Sequence, residues 1–390
     1  MAVSSLKLQN SDAASMLNSA LLFAGIASTP IYVTASGSIQ PSHAMLFFFA
    51  ILTFFRSGIP VSGPFWPILL LALNFLLVES FYVLQGGTPR YLINPIFVFF
   101  NFIVGTAIYG HALRHGFTEV ASGLIIASLV AVISIVLTGV SLVDAQLGRS
   151  EGLFNNPNQV GYFSVCLMSL THLLYRCKAI GGAFNLVLLF VAAFLALSSL
   201  SKAAIISVAV VILFALIQSN NDKVHRSQGP LLRIFVLIAP LVLLIGYFLN
   251  AYFEELIFIQ RLQGMSSEAD SSLEARGYFI ITQGSLVEQL IGLGGSGVQA
   301  RLGHEVHSTL GSLFNTYGVV SLTLFLFVVI NWGVRVFQAF GTWSAIACVA
   351  PTMLYGITHN GSRATLFWVL LALSFAAARR AKTMRSETSH

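Results

Sequence analysis

The chain has 390 residues, 56% of them hydrophobic and 9% charged, with a mean hydropathy of +0.84 and a formal net charge of +6. Soluble globular proteins carry roughly 25% charged residues, so this composition excludes a soluble enzyme and predicts a polytopic membrane protein. The three cysteines, Cys166, Cys177 and Cys348, lie in or beside apolar stretches without CxxC spacing, which argues against a disulfide framework or a thiolate metal site. The small positive charge suits the cytoplasmic Lys and Arg of membrane proteins and gives no reason to invoke nucleic acid.

A helical span needs about 20 apolar residues. Apolar runs near 16–35, 43–56, 64–84, 91–113, 119–140, 158–176, 182–199, 202–218, 231–250, 311–337, 342–357 and 362–379 predict an all-α membrane protein of about twelve transmembrane helices. The run at 43–56 is short, and Pro60, Pro64 and Pro67 mark where it must stop or kink. Upstream of the first run stand one Lys and one Asp, a flank that suits a retained signal anchor better than a cleaved signal. The chain is expected to form one transmembrane domain over 1–390, with an extracytoplasmic loop or lid at 251–310. Within that loop, Leu273, Tyr278, Ile281 and Leu286 or Val287 share a helical face, so Ser272–Leu290 is expected to contain a helix lying on the membrane.

With the N-terminus inside, Lys7, Arg56, Arg114, Arg176, Lys178, Lys223, Arg226, Arg233, Arg335, Arg379, Arg380, Lys382 and Arg385 face the cytoplasm. The basic residues left outside are Arg90, Arg149, Lys202, Arg261, Arg276, Arg301 and Arg363. Each of these works against the charge signal and asks for a reason.

Four polar constellations interrupt the runs. Arg149 to Asn158 ends in Asn156-Pro157-Asn158, a turn with Asn158 as the expected N-cap. An arginine beside an outward helix N-terminus makes an anion site, or else simply snorkels to the interface. Ser198-Ser199-Leu200-Ser201-Lys202 is a polar break whose lysine faces either a wet cavity or the headgroups. Gly292 to Gly297 lacks the ending of a nucleotide P-loop, and forms either a backbone anion nest or a hinge. After it, His304, Glu305 and His307 lack the spacing of a metal site. His307, where the loop enters the membrane, is either structural or a base able to take a proton from a hydroxyl. Finally, His359-Asn360-Gly361-Ser362-Arg363 is a short, densely polar outer turn.

Together, Arg149 to Asn158, the Ser-Leu-Ser-Lys break, His307-Ser308-Thr309-Leu310 ahead of Tyr317-Gly318-Val319-Val320, and His359 to Arg363 resemble the O-antigen ligase and polymerase superfamily over about the last two-thirds of the chain. The usual Ser-Arg-Gly is here Ser201-Lys202-Ala203, which keeps a cation and loses the guanidinium fork. The resemblance implies a GT-C-like glycosyltransferase, without cofactor or metal, at the outer face of the bacterial inner membrane, its active site facing the periplasm. Its implied partners are an undecaprenyl-diphosphate-linked glycan donor, a glycan or lipid-linked acceptor, membrane lipid and a chain-length regulator. It makes His307 the catalytic base, Arg149 and Arg276 diphosphate contacts, and Arg261, Lys202, Arg363, Asn158 and His359 further substrate-binding residues. The His-Ser-Thr-Leu opening and the short chain favour an O-antigen or exopolysaccharide polymerase over a ligase that transfers glycan to lipid A core. A non-enzymatic transporter or flippase would call for paired repeats with broken helices, and none is evident in the sequence.

Overall fold

The computed structural model describes residues 2–34, 38–58, 64–138, 151–221, 278 and 280–388, and these are helical without a strand. The first eight helices are α1 (Ala2–Ala27), α2 (Pro41–Ser57), α3 (Trp66–Leu84), α4 (Ile93–His115), α5 (Thr118–Thr138), α6 (Pro157–Arg176), α7 (Gly182–Ser198) and α8 (Lys202–Asn221). They are followed by α9 (Leu286–Ile291), α10 (Gly294–Leu302), α11 (Thr309–Phe340), α12 (Thr342–Thr358) and α13 (Thr365–Thr388). The predicted runs fall on α1 to α8 and α11 to α13, while 231–250 lies outside the described residues.

Two boundaries differ from expectation for local reasons. The first helix was expected to reach 35 and stops at Ala27, because Pro30 lacks an N–H and disfavours helical backbone before it. There the Ser28 and Thr29 hydroxyls donate instead to the Ala24 and Ile26 carbonyls (both 2.8 Å). The last span begins at Thr365, after a 3-10 turn over Gly361–Arg363.

Among the described residues, four segments are long and apolar enough to cross a membrane: α3, α4 with the 3-10 turn that leads into it (Pro89–His115), α5 and α11. Each turns apolar side chains outward at helical spacing, including Leu70, Leu73 and Leu77 on α3, Ile126, Leu129 and Ile133 on α5, and Phe327, Ile330 and Val334 on α11. In water such stripes would drive association. Against acyl chains they cost nothing, and this is the make-up of a helical membrane protein.

The centre is built differently. α6 is buried on every side from Val160 to Tyr175, and α13 from Leu366 to Ala377. α6 packs on α7 and α12, and α13 on α4 and α11. Facing protein rather than lipid, α6 carries polar groups that a lipid-exposed span would not: Ser169 donates to the Ala347 carbonyl (3.0 Å), and His172 Nε2 lies 3.3 Å from Ser344 Oγ.

α11 breaks at Gly318, whose backbone is left-handed (φ 72°, ψ −176°). A Cβ there would collide with the Leu290 carbonyl, so only glycine fits. The break releases the Asn315 carbonyl from its i+4 partner, and it accepts the Leu293 N–H instead (2.9 Å). In the described part of Ser272–Leu290 helix is present but divided, a 3-10 turn at Ile280–Gln283 separated by Gly284 and Ser285 from α9, and it is the single shared face that is corrected. Ser285 starts α9 by capping the Glu288 N–H (3.3 Å), which forces a new helix axis. Ile281 is buried while Leu286 is 77% exposed, so the two do not share a face.

Candidate active site

α2, α4, α6, α11 and α13 begin at the same end of the molecule, around a cavity of about 1050 Å³. Their first turns bring Gln40 and His43, Asn94 and Phe97, Asn158 and Gln159, Ser312, and Thr365 to its wall. A helix N-terminus carries about half a positive charge and unpaired N–H groups. Five converging N-termini make the cavity favourable to anions before any charged side chain is counted.

The caps follow from sequence. The expected N-cap of α6 was Asn158, and the structure corrects this to Asn156, whose side chain accepts the Asn158 N–H (2.7 Å). The reason is Pro157, which holds Asn156 extended (φ −162°, ψ 134°) and fits the first helical position, where no N–H is needed. Ser308 caps α11 by accepting the Gly311 N–H (2.9 Å), which places His307 one residue outside the helix. Thr309 then ties two motifs together: its hydroxyl accepts the Gly361 N–H (2.9 Å) and donates to the His359 carbonyl (3.2 Å).

Around that tie, His307, His359, Arg363 and Asn158, four of the residues singled out in the sequence, line one cavity. The His359 ring stacks on Tyr355 (centroids 4.7 Å apart) and its Nδ1 lies 2.8 Å from the Thr358 hydroxyl. Tyr355 donates to the Asn158 carbonyl (2.6 Å). Arg363 pairs with Glu305 (2.6 Å), but both side chains are close to half exposed (42% and 47%). Such a pair contributes only about 0–1 kcal/mol, so an incoming anion displaces the carboxylate at little cost. His307 is exposed to the cavity, its ring parallel to that of His304 at 5.4 Å. His304 Nδ1 hydrogen-bonds the Glu305 carbonyl (2.9 Å). Among the described residues no three His, Cys, Asp or Glu side chains are grouped to hold a metal.

Arg149, Arg261 and Arg276 lie outside the described residues. Lys202 opens α8, half-buried, and does not line the cavity.

The N-terminal third supplies what the motifs did not mark. Arg90 lines the cavity, bonded to the Tyr91 hydroxyl (2.7 Å) with its guanidinium 4.7 Å from that ring's centre. It had a signal, as one of the basic residues on the outer side. Gln40 donates its backbone N–H to His43 Nδ1 (3.1 Å) and accepts the Val33 N–H (3.0 Å) on its side chain, fixing the entry to α2. Asn101, two turns into α4 and 1% exposed, donates to the Phe97 carbonyl (2.9 Å). Its Oδ1 has no partner among the described residues.

The glycine run is neither hinge nor open anion nest. Gly294 is left-handed (φ 63°), and a Cβ there would enter the Tyr82 ring, so the start of α10 packs tightly on α3. The next N–H, of Gly295, donates to an internal carboxyl group: both oxygens of Glu79 lie 3.2 Å away, on a side chain 1% exposed. Tyr82 donates to the Gly292 carbonyl (2.7 Å) and Ser296 Oγ accepts the Thr88 N–H (2.9 Å). These contacts lock α10 to the helix pair whose connection carries Arg90.

Compared with known proteins, the chain matches no family model and no curated protein.

Proposed function

We propose that this chain is a membrane glycosyltransferase that polymerises undecaprenyl-diphosphate-linked oligosaccharide repeat units at the outer face of the bacterial inner membrane. The observation that supports this most is the cavity itself, where five helix N-termini and two arginines, Arg90 and Arg363, surround a space lined by two histidines of the late motifs, His307 and His359. A diphosphate leaving group gains charge as the glycosidic bond breaks, and oriented N–H groups with guanidinium forks are the chemistry that stabilises it. Arg363 and Arg90 hold the diphosphate in this reading. Asn94, Asn101, Asn158 and Gln159 offer amide groups to sugar hydroxyls, and His307 accepts the proton of the attacking hydroxyl. Exposed apolar stripes on α3 and α11 leave room for the polyprenyl chain in the bilayer.

The surface glycan of a deletion strain tests the reading. Loss of polymer with single repeat units retained supports a polymerase. Loss of all glycan from lipid A core makes the chain a ligase, and an unchanged profile removes glycan transfer altogether.

A further inference from the structure

We propose that the floor of the large cavity, formed by Asn101 of α4 and Thr365 of α13, is a sugar subsite that takes one polar substituent, a hydroxyl or an acetamido group, of the glycan carried on the diphosphate. Asn101 Oδ1 and Thr365 Oγ1 are buried without a hydrogen-bond partner among the described residues, and both residues line the cavity. They are 1% and 6% exposed. The Asn101 amide is oriented by its own helix: the Phe97 carbonyl only accepts, so Nδ2 must face it (2.9 Å) and Oδ1 is the end left over. Both helices begin at the cavity and run side by side, with Gly105 packed against Trp368 and Ala372. One turn back along each, Asn101 stands at the height of the first turn of α13, which Thr365 opens. Along α4 this level lies two turns, about 10 Å, inward of Asn94, whose Oδ1 is 3.5 Å from Arg363 Nη2.

A plainer account is a buried water, which commonly satisfies such groups. That account leaves the rest of the space unused: the cavity holds about 1050 Å³, and Phe97 and Val98, one turn from Asn101, and Leu366, next to Thr365, give it apolar wall. Apolar wall with a few placed polar atoms is the make-up of a ligand site, and it suits a sugar ring, which presents C–H faces as well as polar substituents. The two unpaired atoms also say what the ligand must offer. An ionised phosphate only accepts hydrogen bonds and leaves Oδ1 unpaired, so the floor is not a second phosphate site. A hydroxyl or an acetamido group donates O–H or N–H to Asn101 Oδ1 and accepts the Thr365 hydroxyl on its own oxygen. Such a site rejects ligands that lack the group, because its buried atoms are then left unpaired. The inference rests on the glycosyl-transfer reading for its sugar, and adds where that sugar is recognised.

The test measures binding of the purified full-length chain to three lipids: undecaprenyl diphosphate, and the same lipid carrying glucose or N-acetylglucosamine. Wild type should bind at least one sugar-bearing lipid more tightly than the bare one. Asn101→Leu/Thr365→Val, which keeps the size of both side chains and removes the unpaired atoms, should lose about tenfold of that gain and still bind the bare lipid as wild type does. Thr365→Val alone should lose part of the gain, and Thr365→Ser, which keeps the hydroxyl, should retain most of it. A gain with both sugars identifies a hydroxyl as the group recognised, and a gain with N-acetylglucosamine alone an acetamido group. No gain with either sugar in wild type, or the full gain in the double and single valine variants, overturns the proposal. An equal loss for the bare lipid does so too, since that is what a merely structural role produces. Glycan transfer by a chain whose variants keep the full gain removes the subsite and leaves the reaction, whereas a gain that the variants lose, without transfer by wild type, leaves the subsite and removes the reaction.

Discussion

α2 and α4 begin at the large cavity and end at a smaller one, and the two ends carry opposite backbone fields. At the large cavity the backbone supplies positive potential through five helix N-termini, and only a few cationic side chains are added. At the small one the helix ends are negative, and Arg56 and Arg114 bring positive charge to them. The cations expected outside, Arg90 and Arg363, line the first cavity, and Arg56 and Arg114, expected inside, line the second. Segregation by topology therefore says which end a cation occupies. Helix direction says what an anion meets there.

The largest expected effect is all-or-none and concerns which end faces outward. Glu151 is exposed beside the large cavity, and Gly181, with open space around its Cβ position, lies in the turn at the far end of α6. In a background lacking Cys177, Glu151→Cys should react with an impermeant thiol reagent in intact cells and Gly181→Cys only after lysis. The reverse pattern would place the large cavity in the cytoplasm and remove the proposed donor from reach.

Next comes the chemistry. A positioned base contributes about 10² to 10⁴ in rate, so His307→Ala should lose that much turnover while still binding donor lipid. His304→Ala, whose ring is engaged with the Glu305 carbonyl, should keep much of its activity. Purified variants assayed for glycan transfer decide between them, and turnover of His307→Ala within a few-fold of wild type would move the base to Glu305.

Anion binding should be weakened less. Arg363→Ala or Arg90→Ala removes charged hydrogen bonds worth about 1.5–3 kcal/mol each, so donor KM should rise by roughly tenfold to a hundredfold. Lysine should rescue poorly, since it lacks the fork. An arginine-to-alanine variant with unchanged KM at either position would take that residue out of the site.

The smallest effects are structural. Gly318→Ala should cost about 1–3 kcal/mol in backbone strain, with a further loss from the collision at Leu290, measured as a lower Tm of the purified chain. A Tm equal to wild type would mean that α11 does not need its break. At α9, hydrogen bonds from Ser285, with a smaller contribution from Arg301, hold the Glu288 carboxyl below the usual carboxylate range. A depressed carboxylate gives stability that is present above its unfolded pKa of about 4.3 and lost as pH falls through the lower folded value. Protection of the α9 amides, the exchange rate relative to the intrinsic rate at the same pH, should therefore fall only under acid, and protection unchanged down to that range would show the cap to be idle.

Much of the fold was legible because an apolar run is a local signal, and the runs at 64–84 and 311–337 lie on α3 and α11 within a few residues. The site was legible where a motif coincided with a helix start, as at Asn158, His307 and Arg363. Arg90 was marked only by its charge on the outer side, and Asn101 not at all, because nothing near them in sequence says that α4 lines the same cavity as α6 and α13. Gly294 and Gly295 read as a hinge or nest because the groups that fill the space around them, Tyr82 and Glu79, lie about two hundred residues away in the chain.

The central claim is that the large cavity transfers glycan from a lipid diphosphate. The most direct measurement is to reconstitute the purified chain with a single undecaprenyl-diphosphate-linked repeat unit and follow the products over time. The account predicts a ladder of longer lipid-linked glycans with matching release of undecaprenyl diphosphate, both lost in an Arg90→Ala/Arg363→Ala variant that remains folded. Intact donor with the wild-type chain, or an undiminished ladder with that variant, would contradict it.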